Sequence, residues 1–253
     1  MVKSVLITGG TKRIGAAISE RLAREGWRIV AHYHHSREQA EDFARTLGSG
    51  AVAIEADLSE PAAAEDLPAR AQARIGAPLD AIVNNASVFE FNRAATFAID
   101  DWRRDETVNL LSPVLIARAF AKALPHDRAG AVVNLLDQKL WNLNADFFTY
   151  TMSKIGLEGA TRLLARALAP AVRVNAVAPG LTLPSGRQTE EEFNAVAAKY
   201  NLMKRPIEIE AIAGAVSFLL DNSAVTGQTI LVDNGQHMVA SDRDVMFTTR
   251  GHS

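Results

Sequence analysis

Tyr150 and Lys154 stand four residues apart in a stretch with helical apolar spacing, so both side chains leave one helix face. An ammonium beside a phenol stabilises the phenolate, which lowers the phenol pKa and makes it a usable acid and base near neutrality. The same spacing also describes a solvated helix surface, so its weight depends on what surrounds it. Asp137 lies thirteen residues upstream, where the chain leaves an apolar run. The polar run Asn84-Asn85-Ala86-Ser87 follows another apolar run and is suited to line the floor of a ligand site.

A second constellation sits near the N-terminus. The first apolar run ends in Thr8-Gly9-Gly10-Thr11-Lys12-Arg13-Ile14-Gly15 and leads into a helical segment. Gly9 permits a tight turn, Gly15 lets the helix approach the strand, and the helix N-terminus offers free N–H groups to a pyrophosphate. That context points to a nucleotide. After the second apolar run comes His32-Tyr33-His34-His35-Ser36-Arg37, without the acid that would accept from a ribose 2′-hydroxyl. Arg37, Ser36 and a partly protonated His35, with Arg13 nearby, suit a 2′-phosphate, so NADP(H) is the expected cofactor. The histidines have no carboxylate or cysteine at ligand spacing, and no metal site is expected.

These residues need a scaffold. Short runs rich in Val, Ile or Leu fall at 2–7, 27–33, 51–55, 79–83, 131–136, 172–176 and 229–232. Helix-length amphipathic segments separate them at 14–25, 37–47, 61–75, 102–124, 150–168 and 209–220. Sustained strand–helix alternation predicts a parallel sheet with helices on both faces: one doubly wound α/β domain over residues 1–253. Ligands of such sheets bind beyond the carboxyl ends of the strands, where all the residues above fall.

Composition narrows the alternatives. The 253 residues are 48% hydrophobic and 22% charged, with no cysteine, which excludes disulfides, a thiol nucleophile and thiolate metal sites. A net charge of −2 gives no footprint for nucleic acid. The longest apolar stretch, 212–220, is far short of the ~20 residues of a membrane span, and no signal-peptide pattern opens the chain. A cytoplasmic protein is expected.

Thr8-Gly9…Gly15, Asp57, Asn84-Asn85-Ala86, Asn109, Tyr150…Lys154, Asn175 and Pro179-Gly180 resemble, in order and spacing, the short-chain dehydrogenase/reductase family. The resemblance covers about residues 2–238. It implies a Rossmann-like seven-stranded sheet, hydride transfer with a nicotinamide cofactor, and often a homotetramer. Tyr150 would donate the proton. Lys154 would hold the ribose hydroxyls and depress the Tyr150 pKa, and Asn109 would place a relay water. Gly9, Thr11, Arg13, Ile14 and Gly15 would cradle the cofactor phosphates, with His34, His35, Ser36 and Arg37 at the 2′-phosphate. Asp57 and Leu58 would meet the adenine. Asn84, Ala86 and Ser87 would lie against the cofactor, with Pro179 and Gly180 leading to the carboxamide contact.

Two departures narrow the resemblance. Arg13 replaces the middle glycine of the usual turn, and Asp137 replaces the serine that usually precedes the tyrosine. Both look like the pteridine reductase branch, to which His32-Tyr33-His34-x-Ser36 and Asn85-Ala86-Ser87-Val88-Phe89 are also similar; dihydromonapterin reductases are a bacterial relative. That branch commonly carries Arg where this chain has His35, which weakens the expected preference for NADPH.

Substrate contacts are then expected from Arg13, Ser87, Phe89, Asp137 and Tyr150. A carboxylate at 137 accepts from the amino and N–H groups of a pterin, and burial would raise its pKa enough to share in proton delivery. The expected activity is NADPH-dependent reduction of a pteridine C=N bond. Reduction of an unrelated ketone or imine, or NADP(H) binding without turnover, are the alternatives; equally, Asp137 capping a turn and Arg13 binding phosphate alone would fit. Residues 181–203 resemble a substrate loop. Trp141, Leu183 and Met203 are either pocket walls or ordinary packing, and the tail 239–253 either reaches a neighbouring subunit or is disordered.

Overall fold

The computed structural model describes residues 2–184 and 189–247. Seven parallel strands form one sheet in the order β3-β2-β1-β4-β5-β6-β7. They are β1 (Ser4–Ile7), β2 (Arg28–Tyr33), β3 (Val52–Glu55), β4 (Ala81–Asn84), β5 (Gly130–Leu135), β6 (Val172–Pro179) and β7 (Thr229–Val232). The helices are α1 (Arg13–Arg24), α2 (Arg37–Leu47), α3 (Pro61–Ile75), α4 (Ile99–Glu106), α5 (Ser112–Ala123), α6 (Phe148–Ala167), α7 (Glu190–Tyr200) and α8 (Ile209–Asp221). No described helix is long and apolar enough to cross a membrane.

Strand periodicity explains the two cores. Side chains alternate across a strand, so Val5 and Ile7 of β1 join α1 and α8 through Ile18, Leu22, Ile212 and Val216 on one face. Leu6 points the other way, into a cluster with Leu67 of α3 and Ile116 and Phe120 of α5. A sheet covered on both faces requires strands apolar throughout, which is how they read in sequence.

The segment 102–124, expected as one helix, is interrupted by a π-helical turn at Thr107–Leu111 between α4 and α5. Pro113 supplies the cause: it lacks the N–H that an α-helical ladder would direct to the Asn109 carbonyl, and its ring crowds that carbonyl. β6 also runs three residues beyond its expected end, carrying the chain to Pro179. Within the expected substrate loop lies α7, opened by a capping box in which Thr189 Oγ1 accepts from Glu192 N (3.2 Å). Residues 185–188 of the expected substrate loop lie outside the described residues, as do 248–253 of the tail.

Candidate active site

The first turn joins β1 to α1. Gly9 has φ +60° and Arg13, unusually for a side-chain-bearing residue, has φ +52°. A Cβ on Gly15 would stand 2.1 Å from the Gly9 carbonyl oxygen and 2.6 Å from Asn85 Nδ2. Only glycine there lets α1 begin so close to the strand. No side chain caps α1 and no acid occupies its first turn, so its N–H groups face outward as an anion cradle. Thr8 and Asn85 lock the turn to β4. Thr8 Oγ1 accepts from Asn85 N (2.9 Å) and Ala86 N (3.0 Å), while Asn85 Nδ2 donates to the Thr8 (2.9 Å) and Gly9 (3.1 Å) carbonyls.

His32 completes this lock, a role that sequence spacing does not reveal. Gly9 N–H donates to its Nδ1 (3.0 Å), so Nε2 carries the ring proton and donates to the Ala56 carbonyl (3.1 Å). Burial pushes its pKa down to about 4. The folded chain therefore binds this proton less readily than the unfolded chain. The stability involved is fully present above the ordinary histidine value of 6.5 and is lost as pH falls from there towards 4, about 3 kcal/mol in all. Denaturant unfolding across that window should show an acid loss in the native chain that His32→Gln lacks; parallel curves would remove His32 as the cause.

At the end of β2, Arg37 differs from its expected role as a free cation. Its guanidinium donates to Glu55 Oε2 at the end of β3 (2.8 Å). Lys12, not singled out by the sequence reading, reaches this place instead, donating from Nζ to Ser36 Oγ (3.2 Å). The His34 and His35 rings stack with centroids 3.7 Å apart, and His34 Nε2 lies 3.5 Å from Asp57 Oδ2. Ser59, donating from Oγ and N, holds the Asp57 carboxyl below the usual carboxylate range. Leu58 is buried beneath, its carbonyl accepting from Ser112 Oγ (2.7 Å).

The Tyr150 hydroxyl donates to Asp137 Oδ2 (2.9 Å). Asp137 Oδ1 accepts from Lys139 N (2.8 Å), an N-cap bond to the 3₁₀ turn Gln138–Trp141. So Asp137 both caps a turn and engages the tyrosine. Lys154 Nζ donates to the Leu135 carbonyl at the end of β5 (2.8 Å). Burial raises the Asp137 pKa, and burial followed by the Asp137 charge raises that of Tyr150. This corrects the expectation that Lys154 depresses Tyr150: the phenol bonds a carboxylate, while the ammonium bonds a carbonyl. Burial lowers the Lys154 pKa to about 8. Tyr150 and Asp137 thus form a unit that holds a proton.

Asn109, on the π-helical turn, is fully occupied by protein. Its Oδ1 accepts from Ser87 Oγ (3.0 Å) and Val88 N (2.9 Å), and its Nδ2 donates to Val88 O (3.0 Å) and Ser153 Oγ (3.1 Å). No side-chain bond is left for a relay water. Asn84 is buried, donating from Nδ2 to Asn134 Oδ1 (2.8 Å) and Pro113 O (3.3 Å); its neighbour Asn85 is the asparagine that lines the cavity.

That cavity, of about 330 Å³, lies at the carboxyl ends of β4, β5 and β6. It gathers Arg13, Ile14, Ser87, Phe89, Asp137, Tyr150, Lys154, Pro179 and Gly180. Phe89 stacks on Phe147 (centroids 4.0 Å, 12°) and meets Tyr150 edge-on (4.6 Å), giving a flat aromatic wall. Arg13 crosses to the far side, donating from Nη2 to the Pro184 carbonyl (3.1 Å). Leu183 lines the cavity, whereas Trp141 and Met203 are exposed and lie outside it. Lys139 and the tail residues Ser241, Asp244, Val245 and Met246 also line it, and nothing in their sequence spacing marks them.

The family profile described as enoyl-(acyl carrier protein) reductase matches residues 9–237. Among solved structures, the chain is similar to FolM alternative dihydrofolate reductase 1 from Brucella canis, complexed with NADP. The two are 40% identical with a TM-score of 0.88, over 94% of this chain and 95% of that one. Pteridine reductase 1 of Leishmania tarentolae is 31% identical over 276 residues, covering 91% of this chain and 94% of the relative. The 3beta-hydroxysteroid dehydrogenase 1 of Eggerthella lenta is likewise 31% identical over 243 residues, covering 92% and 93%. With a seven-stranded parallel sheet, a glycine turn locked to β4 and the Tyr150–Lys154 pair at the strand ends, the chain belongs to the short-chain dehydrogenase/reductase family.

Proposed function

We propose that the chain is an NADPH-dependent reductase of pteridines, working as one domain in the cytoplasm. The observation that carries this reading is the Asp137–Tyr150 hydrogen bond beside the aromatic wall of Phe89. A flat heterocycle fits against Phe89, and its amino and N–H groups need the acceptor that Asp137 offers.

The residues fit NADP(H). Gly9 and Gly15 leave room for a pyrophosphate at the α1 N-terminus, and Lys12, Ser36, His34 and His35 gather where a 2′-phosphate belongs. With Arg37 paired to Glu55, the preference over NADH rests on Lys12 and Ser36. When bound, the cofactor would supply hydride chemistry to the carbon of the C=N bond. Tyr150 gives the nitrogen its proton from Oη, which balances the two-electron reduction. Asp137, raised towards protonation by burial, then takes up a proton from solvent and passes it to the phenolate through their hydrogen bond, which restores the pair. Lys154 holds the ribose hydroxyls, Asp57 and Leu58 the adenine, and Arg13 and Ser87 the substrate rim.

The test is NADPH oxidation with dihydrobiopterin, dihydromonapterin and dihydrofolate, set against a panel of ketones and repeated with NADH. Pterin-dependent turnover, with higher kcat/KM for NADPH, is expected. Turnover of ketones alone would move the enzyme to carbonyl reduction, which the steroid dehydrogenase relative favours. A homotetramer is part of the proposal, supported by exposed Leu111, Met152, Ile155 and Leu163 around α5 and α6, and Phe218 on α8. Sedimentation of a monomer would remove that part alone.

A further inference from the structure

Past β7 the chain makes a 3₁₀ turn at Gln236–Met238 and doubles back over the cavity mouth. Its placement is built from specific bonds. Buried Asp146 accepts from Arg243 Nε (2.7 Å) and Asp244 N (2.9 Å), while Arg93 Nε stands 3.5 Å away. Asn142 Nδ2 donates to the Val239 carbonyl (2.8 Å). Asp244 Oδ2 accepts from the buried Lys139 ammonium (3.0 Å), and its Oδ1 accepts from Met246 N (3.1 Å). Phe247 closes the aromatic stack against Phe91 (centroids 4.8 Å) and Phe147 (6.0 Å).

Two consequences follow for a ligand. At about 330 Å³ the cavity is near the lower end of small-molecule sites, and Val245 and Met246 line it, so they limit the room for a substituent on a bound ring. Among the described residues the cations on this side are already engaged: Lys139 by Asp244, and Arg93 and Arg243 by Asp146. A substrate carboxylate against this wall would meet Asp244 and find no free cation among the described residues, which costs desolvation without return.

We infer that residues 239–247 are the outer wall of the substrate cavity and restrict it to pteridines with a short, uncharged side chain; this rests on the pteridine reading above. Asp244 and Met246 are the residues that set the limit.

The experiment compares kcat/KM for dihydrofolate, whose side chain is long and acidic, with that for dihydrobiopterin in two full-length variants. Asp244→Lys opposes Lys139 and displaces the wall. Met246→Ala trims it while leaving both ion pairs intact. The dihydrofolate-to-dihydrobiopterin ratio should rise at least tenfold in the first and about threefold in the second, with NADPH affinity within twofold of the parent. A ratio unchanged in both variants overturns the inference. Parent enzyme inactive on every dihydropterin would instead overturn the pteridine reading. In that case the wall is still tested by acrylamide quenching of bound NADPH fluorescence, which should increase in Asp244→Lys; equal quenching would show that these residues do not cover the cavity.

Discussion

Tyr150→Phe should lower kcat by about 10²–10⁴-fold, the span expected when a positioned general acid is removed. The phenyl ring keeps its edge contact with Phe89, so the aromatic wall survives, and only the hydroxyl that donates to Asp137 is lost. NADPH affinity should change little, because the phosphate turn lies on other elements. Losing kcat and kcat/KM together is the signature of an interaction made in the transition state. A fall of less than tenfold would mean that the proton comes from elsewhere. If a cellular role persisted in this variant, binding without turnover would become the better account.

Gly15→Ala should damage both stability and cofactor binding. The added Cβ would meet the Gly9 carbonyl oxygen at 2.1 Å, and that atom belongs to a backbone held by His32 and Asn85. Nothing flexible is available to yield, so α1 must move off the strand. Overpacking of this kind costs about 1–3 kcal/mol, and a backbone clash belongs at the upper end. For a chain of this size that lowers Tm by roughly 6–12 °C. NADPH affinity should fall by one to two orders of magnitude as charge-assisted bonds at the turn, each about 1.5–3 kcal/mol, are lost. Gly214→Ala is the control: its Cβ would come no closer than 3.9 Å to Arg21 Nη1, and it should be neutral or slightly stabilising. Calorimetry and NADPH titration of both variants decide the matter.

The strands and most helices were legible because a doubly covered sheet demands short apolar runs, and little else produces them. The break at Thr107–Leu111 was legible in principle, since Pro113 stands inside the expected helix; amphipathic spacing on both sides concealed it. Site residues carried by a turn or a helical repeat, such as Gly15 and the Tyr150–Lys154 pair, announce themselves through local spacing. Residues joined only by tertiary contact do not. Glu55 neutralises Arg37 across eighteen positions, and Asp244 reaches Lys139 across 105. His32 looked like one member of a basic cluster until its two ring bonds assigned it to the backbone. The Tyr150 pKa was misjudged for a related reason: sequence places Lys154 beside it, but only the folded chain shows which of two charges the phenol touches.

The four bonds of Asn109 bear on how this scaffold can change. They tie the strand-end segment that presents Ser87 and Phe89 to the helix that presents Tyr150, through Val88 and Ser153. Spacing between the aromatic wall and the acid is therefore set before any ligand arrives. New substrates cannot be admitted by letting those two parts drift, since drift would forfeit the reaction geometry. Divergence in substrate range has to be written into the parts that Asn109 does not hold, which are the Arg13 turn and the returning tail.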